Sequence, residues 1–331
     1  MTVRRTVHLP CVAVALFTFV VAAGRSASAQ AFVPPAGEGN VTVAYQNLFA
    51  RGHLDLNGDR MPGESGHDPV QGHAMVLEGE FGLTSRLTVS ASIPYIRSKY
   101  GGSAAHLVGG VGAVQEWDNG HYHGTWQDYH LGLRFNVLAR PVAVTAFAGR
   151  VIPSHHYPAL AHAAVGKDLL ALVVGGAVGG FLDPITPGLF FTTSYSFMRT
   201  EELVGIRPNR SRVDGELGYF ITPRLAARFL TSYQLTHDGF DLVSFATPMT
   251  IALFHSDGTE IPREFRRYHD QLQRSNYLNL GGGVTVALSQ SIEVFAAASN
   301  TVWGKNIHPL RGISVGLNTH FRVRRPPASS P

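Results

Sequence analysis

The sequence predicts an all-β protein, a transmembrane antiparallel up-and-down β-barrel of about 12 strands and of the bacterial outer-membrane type. Three observations indicate this class: an export signal at the N-terminus, long segments of alternating polarity, and short turns that alternate with long loops. The 331-residue chain is 44% hydrophobic, which would equally suit a soluble protein. The prediction therefore depends on pattern and not on composition.

The first 29 residues have the features of a secretory signal peptide. Arg4 and Arg5 precede an apolar stretch at 12–23, and an A-x-A cleavage site follows at 27–29. The apolar stretch is shorter than the ~20 residues of a membrane-spanning helix, which disfavours an uncleaved anchor. We therefore predict export through the general secretory route, signal cleavage after Ala29, and residence in the outer membrane.

The cysteine content and the net charge agree with this predicted location. The only cysteine, Cys11, lies within the signal, so the exported chain would have no disulfide. A large hydrogen-bonded barrel does not need the disulfides that stabilise small secreted domains. Three of the 27 basic residues and none of the 23 acidic residues lie in the signal, so the mature chain is nearly neutral. This balance predicts no nucleic-acid partner.

Turn-like connections alternate with longer polar connections along the whole chain. Most segments between them reach the ~10 residues that a tilted strand needs to cross a bilayer. An even number of such strands places the short turns and both termini in the periplasm and the long loops outside. The twelve candidate strands are 40–50, 71–83, 87–99, 125–138, 142–154, 168–182, 188–200, 211–221, 225–236, 276–288, 291–303 and 310–322.

These strands divide the chain into a signal peptide at 1–29, a periplasmic N-terminal segment at 30–39, the barrel at 40–323 and a short basic, proline-rich periplasmic tail at 324–331. Aromatic residues concentrate near strand ends, as two interfacial girdles would require. At the short-turn end of the barrel, the residues of the predicted girdle are Phe81, Phe135, Phe181, Phe190, Tyr219, Phe220 and Phe321. At the long-loop end, the predicted girdle includes Tyr95, Trp126, Tyr195 and Trp303.

The alternation of polar and apolar side chains along each strand also predicts which side chains face the lumen. A charge that faces lipid at mid-depth costs ~2–4 kcal/mol, so the polar side chains are expected to point inward. The set contains both signs of charge, which disfavours a strongly ion-selective pore. These residues could line a solute path, or they could form ion pairs that seal a narrow barrel. The predicted lumen residues are Glu78, Glu80, His130, Arg134, Asn136, Asp214, Glu216, Arg228, Gln234, Glu293, Asn318 and His320.

Thirteen of the sixteen histidines fall in or beside the predicted outer loops. Neutral imidazoles suit zinc, copper or nickel, so closely spaced histidines are candidate metal ligands. The candidates are His121, His123, His155 and His156. The alternative is a polar loop surface that is merely rich in histidine.

Signatures of enzymes are absent from the sequence. It contains no G-x-S-x-G, no H-E-x-x-H and no phosphate-binding loop. We therefore expect neither enzymatic activity nor a cofactor, and a hydrolase embedded in the barrel is the less favoured alternative.

Several short motifs resemble one family of outer-membrane proteins. They are FGLTSRL at 81–87 with IPY at 93–95, WQD at 126–128 leading to LRF at 133–135, GYFITPRL at 218–225, and WGKN at 303–306. In these motifs the chain resembles the MetA-pathway of phenol degradation family. One departure is that Phe321 is followed by ten further residues, whereas barrels of this kind commonly end on an aromatic residue.

The resemblance implies an outer-membrane porin or transporter for small solutes, including aromatic or hydrophobic ones. The expected partners are outer-membrane lipid, the small-molecule solute, and the barrel-assembly machinery, which would contact the last strand. The alternative is a closed, non-transporting barrel whose outer loops bind a ligand or partner.

Overall fold

A computed structural model describes residues 31–50, 52–60, 69–101, 117–246, 249–255, 257–262, 265 and 268–323. The predicted signal peptide and the predicted C-terminal tail lie outside these residues. The strands are Glu38–Ala50 (β1), Val70–Gly82 (β2), Leu87–Tyr100 (β3), His123–Trp126 (β4), Tyr129–Leu138 (β5), Ala143–Ile152 (β6), Ala171–Phe181 (β7), Leu189–Thr200 (β8), Arg210–Thr222 (β9), Leu225–Thr236 (β10), Asp241–Ala246 (β11), Met249–Phe254 (β12), Asn276–Ala287 (β13), Ile292–Lys305 (β14) and Leu310–Arg322 (β15). One short helix, α1, spans His269–Leu272. Among the described residues, no helix is long and apolar enough to cross a bilayer.

The large sheet closes on itself. Every neighbouring pair in it is antiparallel, and β1 pairs with β2 on one side and with β15 on the other. Since β4 and β5 both pair with β3, they form one interrupted strand, and the described chain makes a barrel of twelve strands. The predicted fold class is confirmed. The separate hairpin β11–β12 lies in the long connection between β10 and β13, where no strand was predicted.

A β-bulge explains the interruption between β4 and β5. Ser92 pairs with His130 and Tyr95 pairs with Trp126, so the two residues between them on β3 face the three residues 127–129. One of the two is Pro94, which has no N–H to donate to a neighbouring strand. Its carbonyl accepts a 2.9 Å bond from the N–H of Gln127. The alternation of side chains alone gave no indication of this bulge.

The hairpin of β2 and β3 shows how the sequence fixes the short turns. The hydroxyl of Thr84 accepts hydrogen bonds from the N–H groups of Arg86 and Leu87, at 3.1 and 2.9 Å. Thr222 makes the equivalent bonds to Arg224 and Leu225. Such local side-chain bonds stabilise a tight turn without a positive backbone dihedral angle.

The outer wall of the barrel is apolar. On β5, Leu131, Leu133 and Phe135 are about half exposed, whereas Arg134, between the last two, is buried. The same alternation occurs on β9, where Leu217 is exposed and Glu216 is buried. Such a band of exposed large apolar side chains is stable when it faces lipid.

The aromatic residues at the turn end separate into two groups. Phe81 and Phe321 stack on the outer wall with ring centroids 6.2 Å apart. Phe181, Phe190 and Phe220 instead occupy the inward-facing positions of their strands and contact one another. The predicted girdle is therefore wrong for these three residues, because side-chain parity and not nearness to a strand end decides which residues meet lipid.

The N-terminal segment enters the barrel from the turn end. Ala31 is fully buried, and its carbonyl accepts a 2.6 Å bond from the hydroxyl of Thr145 on β6. Six residues later the N–H of Gly37 bonds to the carbonyl of Gly82 on β2 at 2.8 Å. Because β6 and β2 lie on different sides of the barrel, the segment crosses the opening at the turn end.

The long loops form a cap at the other end. Its apolar core consists of Ile206, Phe240, Ile261 and Leu272, which come from the β8–β9 loop and from the long connection between β10 and β13 that contains the helix. Phe240 and Leu272 are completely buried. The cap therefore packs like a small folded unit over the opening at the loop end.

Two adjacent glycines on β7 give a test of wall packing. A Cβ at Gly175 would overlap the Tyr195 carbonyl oxygen and the Phe147 ring, whereas a Cβ at Gly176 would meet nothing nearer than the Thr145 carbonyl at 3.5 Å. We expect Gly175→Ala to destabilise the barrel by about 1–3 kcal/mol through overpacking. Gly176→Ala should change stability by less than about 0.5 kcal/mol.

The measurement is urea unfolding of both variants and the unmodified protein in lipid vesicles. Equal unfolding midpoints for the two variants would show that the close contacts at Gly175 relax without cost.

Candidate functional site in the barrel lumen

The loop half of the lumen contains a cavity of about 460 Å³. Its wall mixes apolar side chains with a few polar ones. The apolar part includes Leu48, Val76, Ile96, Phe147, Val173, Met198, Leu230 and Phe295. The polar part includes Gln46, Glu78, His130, Arg212, Asp214, Arg228 and Asn279. The volume and the mixed lining are typical of sites that bind small organic molecules.

A narrower cavity of about 80 Å³ lies nearer the turn end. Glu80 and Arg134, which line it, form an ion pair, and the Arg134 side chain is almost fully buried. Glu78 and His130 line both cavities, so they stand where the wide and narrow parts meet. The hydroxyl of Ser92 donates a 3.4 Å bond to Glu78.

The remaining charges around the large cavity are also paired. Arg228 donates to both carboxylate oxygens of Glu216, at 2.5 and 2.8 Å, and to the Thr285 hydroxyl at 3.3 Å. Arg212 donates to Asp214 at 2.8 Å. Bidentate guanidinium–carboxylate pairs are among the strongest polar contacts in proteins. The lumen therefore contains charged side chains but little uncompensated charge.

The other predicted lumen residues lie toward the two ends. Near the turn end, Asn136 is buried and donates to the Thr145 hydroxyl at 3.3 Å, and Asn318 accepts a 3.1 Å bond from the Thr42 hydroxyl. Also near that end, His320 Nε2 lies 3.7 Å from a Glu293 oxygen, and both side chains are partly exposed. Near the loop end, Gln234 donates to the Ser275 carbonyl and accepts from the Tyr277 hydroxyl, both at 3.2 Å.

The sequence-based prediction for the lumen named polar and charged residues and no apolar ones. A signal for them was present, because Val76, Leu230 and Phe295 each stand two positions from a predicted inward residue on the same strand. Since residues two positions apart on a strand face the same side, counting from Glu78, Arg228 and Glu293 would have identified them. These apolar residues decide what kind of solute the cavity suits.

The loop between β6 and β7 forms the roof of the cavity. Ala164 and Val165 line the cavity, and the side-chain amide of Gln127 donates a 2.5 Å bond to the Val165 carbonyl. The buried carboxylate of Asp118 accepts the N–H groups of His162 and Ala163, at 3.0 and 2.9 Å. Burial raises the pKa of Asp118 despite these bonds.

Further contacts tie this roof to the cap. The ammonium of Lys167 donates to the Gln271 carbonyl at 2.9 Å, and the Gln271 amide donates to the Lys167 carbonyl at 2.8 Å. Burial lowers the pKa of Lys167 well below its usual range, and Arg210 lowers it further. The hydroxyl of Tyr157 donates to the buried Asp128 beside the β-bulge. The roof is thus held by polar contacts on two sides.

The four histidines predicted as metal ligands lie apart from the donor clusters that the described residues form. Nε2 of His123 lies 2.9 Å from Asn119 Oδ1, and Nε2 of His155 lies 2.9 Å from the Thr125 hydroxyl. His156 is fully exposed with Nδ1 3.1 Å from Asp168, and His121 is exposed. Metal binding by these four residues stays a prediction.

The structure instead brings together histidines that sequence reasoning did not select. Donor atoms of His53, His162 and His308 lie within 4.8 Å of one another, and so do those of His162, His269 and Asp270. The residues belong to four separate connections, so no sequence spacing links them. Only the abundance of histidine in the predicted loops hinted at such a cluster.

Burial and neighbouring charges set the protonation of this cluster. Burial lowers the pKa of His308 well below its usual range, and the nearby His53 and His162 lower it further. Burial alone would raise the pKa of Asp270, but His269, His162 and His308 together hold it well below its usual range. At neutral pH the cluster therefore contains a neutral His308 imidazole and an ionised Asp270 carboxylate.

These features define the class of the protein as a 12-stranded antiparallel β-barrel of outer-membrane type with an ion-paired lumen. Among solved structures the chain is similar to the COG4313 outer membrane channel from Pseudomonas putida F1, with a TM-score of 0.60, 11% sequence identity, and coverage of 87% of this chain and 97% of that chain. At this identity the likeness shows the fold alone.

Two more distant barrels have TM-scores below 0.5 and carry no further argument. The NanC porin has a TM-score of 0.44 and 11% identity, with coverage of 85% of this chain and 98% of that chain. The CymD monoaromatic hydrocarbon channel has a TM-score of 0.42 and 10% identity, with coverage of 88% and 90%. No protein-family model and no curated protein sequence matches the chain.

The pair of Arg228 and Glu216 gives a test of the lumen electrostatics. Glu216 is almost completely buried, so Arg228→Leu would leave its carboxylate uncompensated and destabilise the barrel by about 3–5 kcal/mol. The double variant with Arg228→Leu and Glu216→Gln should recover part of the lost stability. As a control, Arg207→Ala removes a partly exposed pair with Glu202 in an outer loop and should cost at most about 1 kcal/mol.

Denaturant unfolding in vesicles measures all three effects. An Arg228→Leu variant as stable as the Arg207→Ala variant would contradict the buried-pair account.

Proposed function

We propose that this protein is an outer-membrane channel that binds and passes small amphipathic or hydrophobic solutes. The observation that supports this most directly is the cavity of about 460 Å³ inside the barrel, with its largely apolar lining. A solute with an aromatic or aliphatic body would contact Phe147, Ile96 and Leu230. Its polar end would reach the carboxylate or imidazole groups at Glu78 and His130.

The pairing of the lumen charges supports the same class of solute. A channel for ions would present rings of one sign of charge. Here both arginines that line the cavity are paired, Arg228 with Glu216 and Arg212 with Asp214. Neutral or weakly polar solutes would pass these walls without removing the counter-ion of either arginine.

The cellular location of the protein, its partners and its family are part of the same proposal. The protein is exported with cleavage after Ala29, is folded by the barrel-assembly machinery acting on β15, and resides in outer-membrane lipid. The motifs at 81–95, 126–135, 218–225 and 303–306 are what support membership of the MetA-pathway of phenol degradation family. A function as a channel requires no catalytic residue and no cofactor.

A second candidate is a closed barrel whose outer loops bind a ligand or partner. The specific observation in its favour is that both ends are covered, by the segment after Ala31 at one end and by the cap around Phe240 at the other. Planar-bilayer recording separates the two functions. Discrete conductance steps are expected from a channel, and none from a closed scaffold.

Adjacent alanines on β14 allow a test of the solute path. Ala297 lines the cavity, whereas Ala296 is exposed on the outer wall. Ala297→Trp should fill part of the cavity and lower solute uptake about tenfold or more. Ala296→Trp places the same ring in lipid and should leave uptake unchanged.

The measurement is uptake of radiolabelled small aromatic and fatty solutes by a deletion strain complemented with each form of the protein. Equal uptake with and without the gene for every solute would contradict the channel proposal. Equal uptake by the Ala297→Trp and unmodified proteins would contradict the placement of the path.

A further inference from the structure

The cap contains a group of histidines whose arrangement differs from that of a polar loop surface. His53 lies between β1 and β2, His162 between β6 and β7, His269 in α1, and His308 between β14 and β15. The ring of His162 is central, since its centroid lies 5.7 Å from that of His53, 5.7 Å from that of His269 and 5.5 Å from that of His308. Except for His308, which is partly buried, these residues are buried.

The spacing of the donor atoms is close to that of a metal site. In a tetrahedral zinc site with bonds of about 2.0–2.1 Å, neighbouring ligand atoms lie about 3.4 Å apart. Nδ1 of His162 is 3.3 Å from Oδ1 of Asp270, so this carboxylate holds the His162 ring in place from that side. The donor atoms of His53, His162 and His308 lie within 4.8 Å of one another, so small side-chain rotations would bring them onto one ion.

Hydrogen bonding at His308 supplies a separate argument. Its Nδ1 lies 3.1 Å from the Gly52 carbonyl oxygen, which can only accept, so Nδ1 carries the proton and Nε2 keeps a lone pair. Nε2 is buried and has no hydrogen-bond partner among the described residues. A buried acceptor without a partner is destabilising. Ligation of a metal would satisfy it, and a backbone carbonyl on the other ring nitrogen is the usual support for a metal-bound histidine.

We propose that His53, His162 and His308 bind one divalent transition-metal ion of the zinc class, while the Asp270 carboxylate beside His162 orients that ring. Imidazole nitrogens suit zinc, copper or nickel, whereas calcium and magnesium require mainly oxygen ligands. His269 lies 3.3 Å from the second oxygen of Asp270 and orients that carboxylate.

The bound ion joins three connections of the cap, which are the β1–β2, β6–β7 and β14–β15 loops. Since the β6–β7 loop also forms the roof of the large cavity through Ala164 and Val165, the ion fixes the roof over the lumen. This inference depends on the cap alone and holds whether or not the lumen passes a solute.

The test uses the mature barrel in detergent micelles after removal of metal with a chelator. Calorimetric titration with zinc chloride should show one ion per chain, and excess calcium or magnesium should not displace it. Cobalt(II) in the same site should give the intense visible absorption of tetrahedral coordination. His308→Phe, which keeps a ring but removes the donor, should weaken zinc binding at least tenfold. His237→Ala, at an exposed histidine outside every candidate metal site, is the matched control and should bind as the unmodified protein does.

Heat-modifiable migration on a detergent gel verifies that each variant is folded, and His53→Gln gives a second test if the His308 variant does not fold. Absence of zinc binding by the unmodified protein would overturn the proposal. Unmodified affinity in folded His308→Phe or His53→Gln would also overturn it. Loss of binding in His156→Ala but not in these variants would assign the ion to the surface histidines instead.

Discussion

Closure of the sheet is the constraint on which the rest of this structure depends. In hydrocarbon each unpaired backbone N–H or C=O group costs several kcal/mol, so a membrane-spanning sheet cannot leave an open edge. Here β1 pairs with β15 along its whole length, from Glu38 opposite Arg322 to Ala50 opposite Leu310. With that seam closed, the outer wall can be apolar without exposing backbone polar groups to lipid.

Closure also fixes the chemistry of the interior. Since successive side chains of a strand point to opposite faces, a wall that is apolar outside directs every polar residue of the other parity into the lumen. Charges placed there are partly desolvated, and an unpaired one would be costly. The pairs of Glu80 with Arg134 and of Glu216 with Arg228 meet that requirement. The apolar residues at the same parity then leave a cavity with few free charges.

The sequence predicted the strands well because their signals are local. Turn residues such as Thr84 and Thr222 act within three positions, and alternation is visible along one strand. Prediction failed where a contact depends on another strand. The bulge beside Pro94 arises from pairing between β3 and its neighbours β4 and β5. Those neighbours are far from Pro94 in the sequence.

By itself the sequence determined the fold class, a closed antiparallel barrel of twelve strands, because a period of two residues and short turns are encoded locally. Only the tertiary structure decided where the long connections go. It placed the Ala31 carbonyl against the Thr145 hydroxyl, and it brought His53, His162 and His308 together. Loops have no repeating pattern, and such contacts are set by packing between segments far apart in the chain, which no single segment specifies.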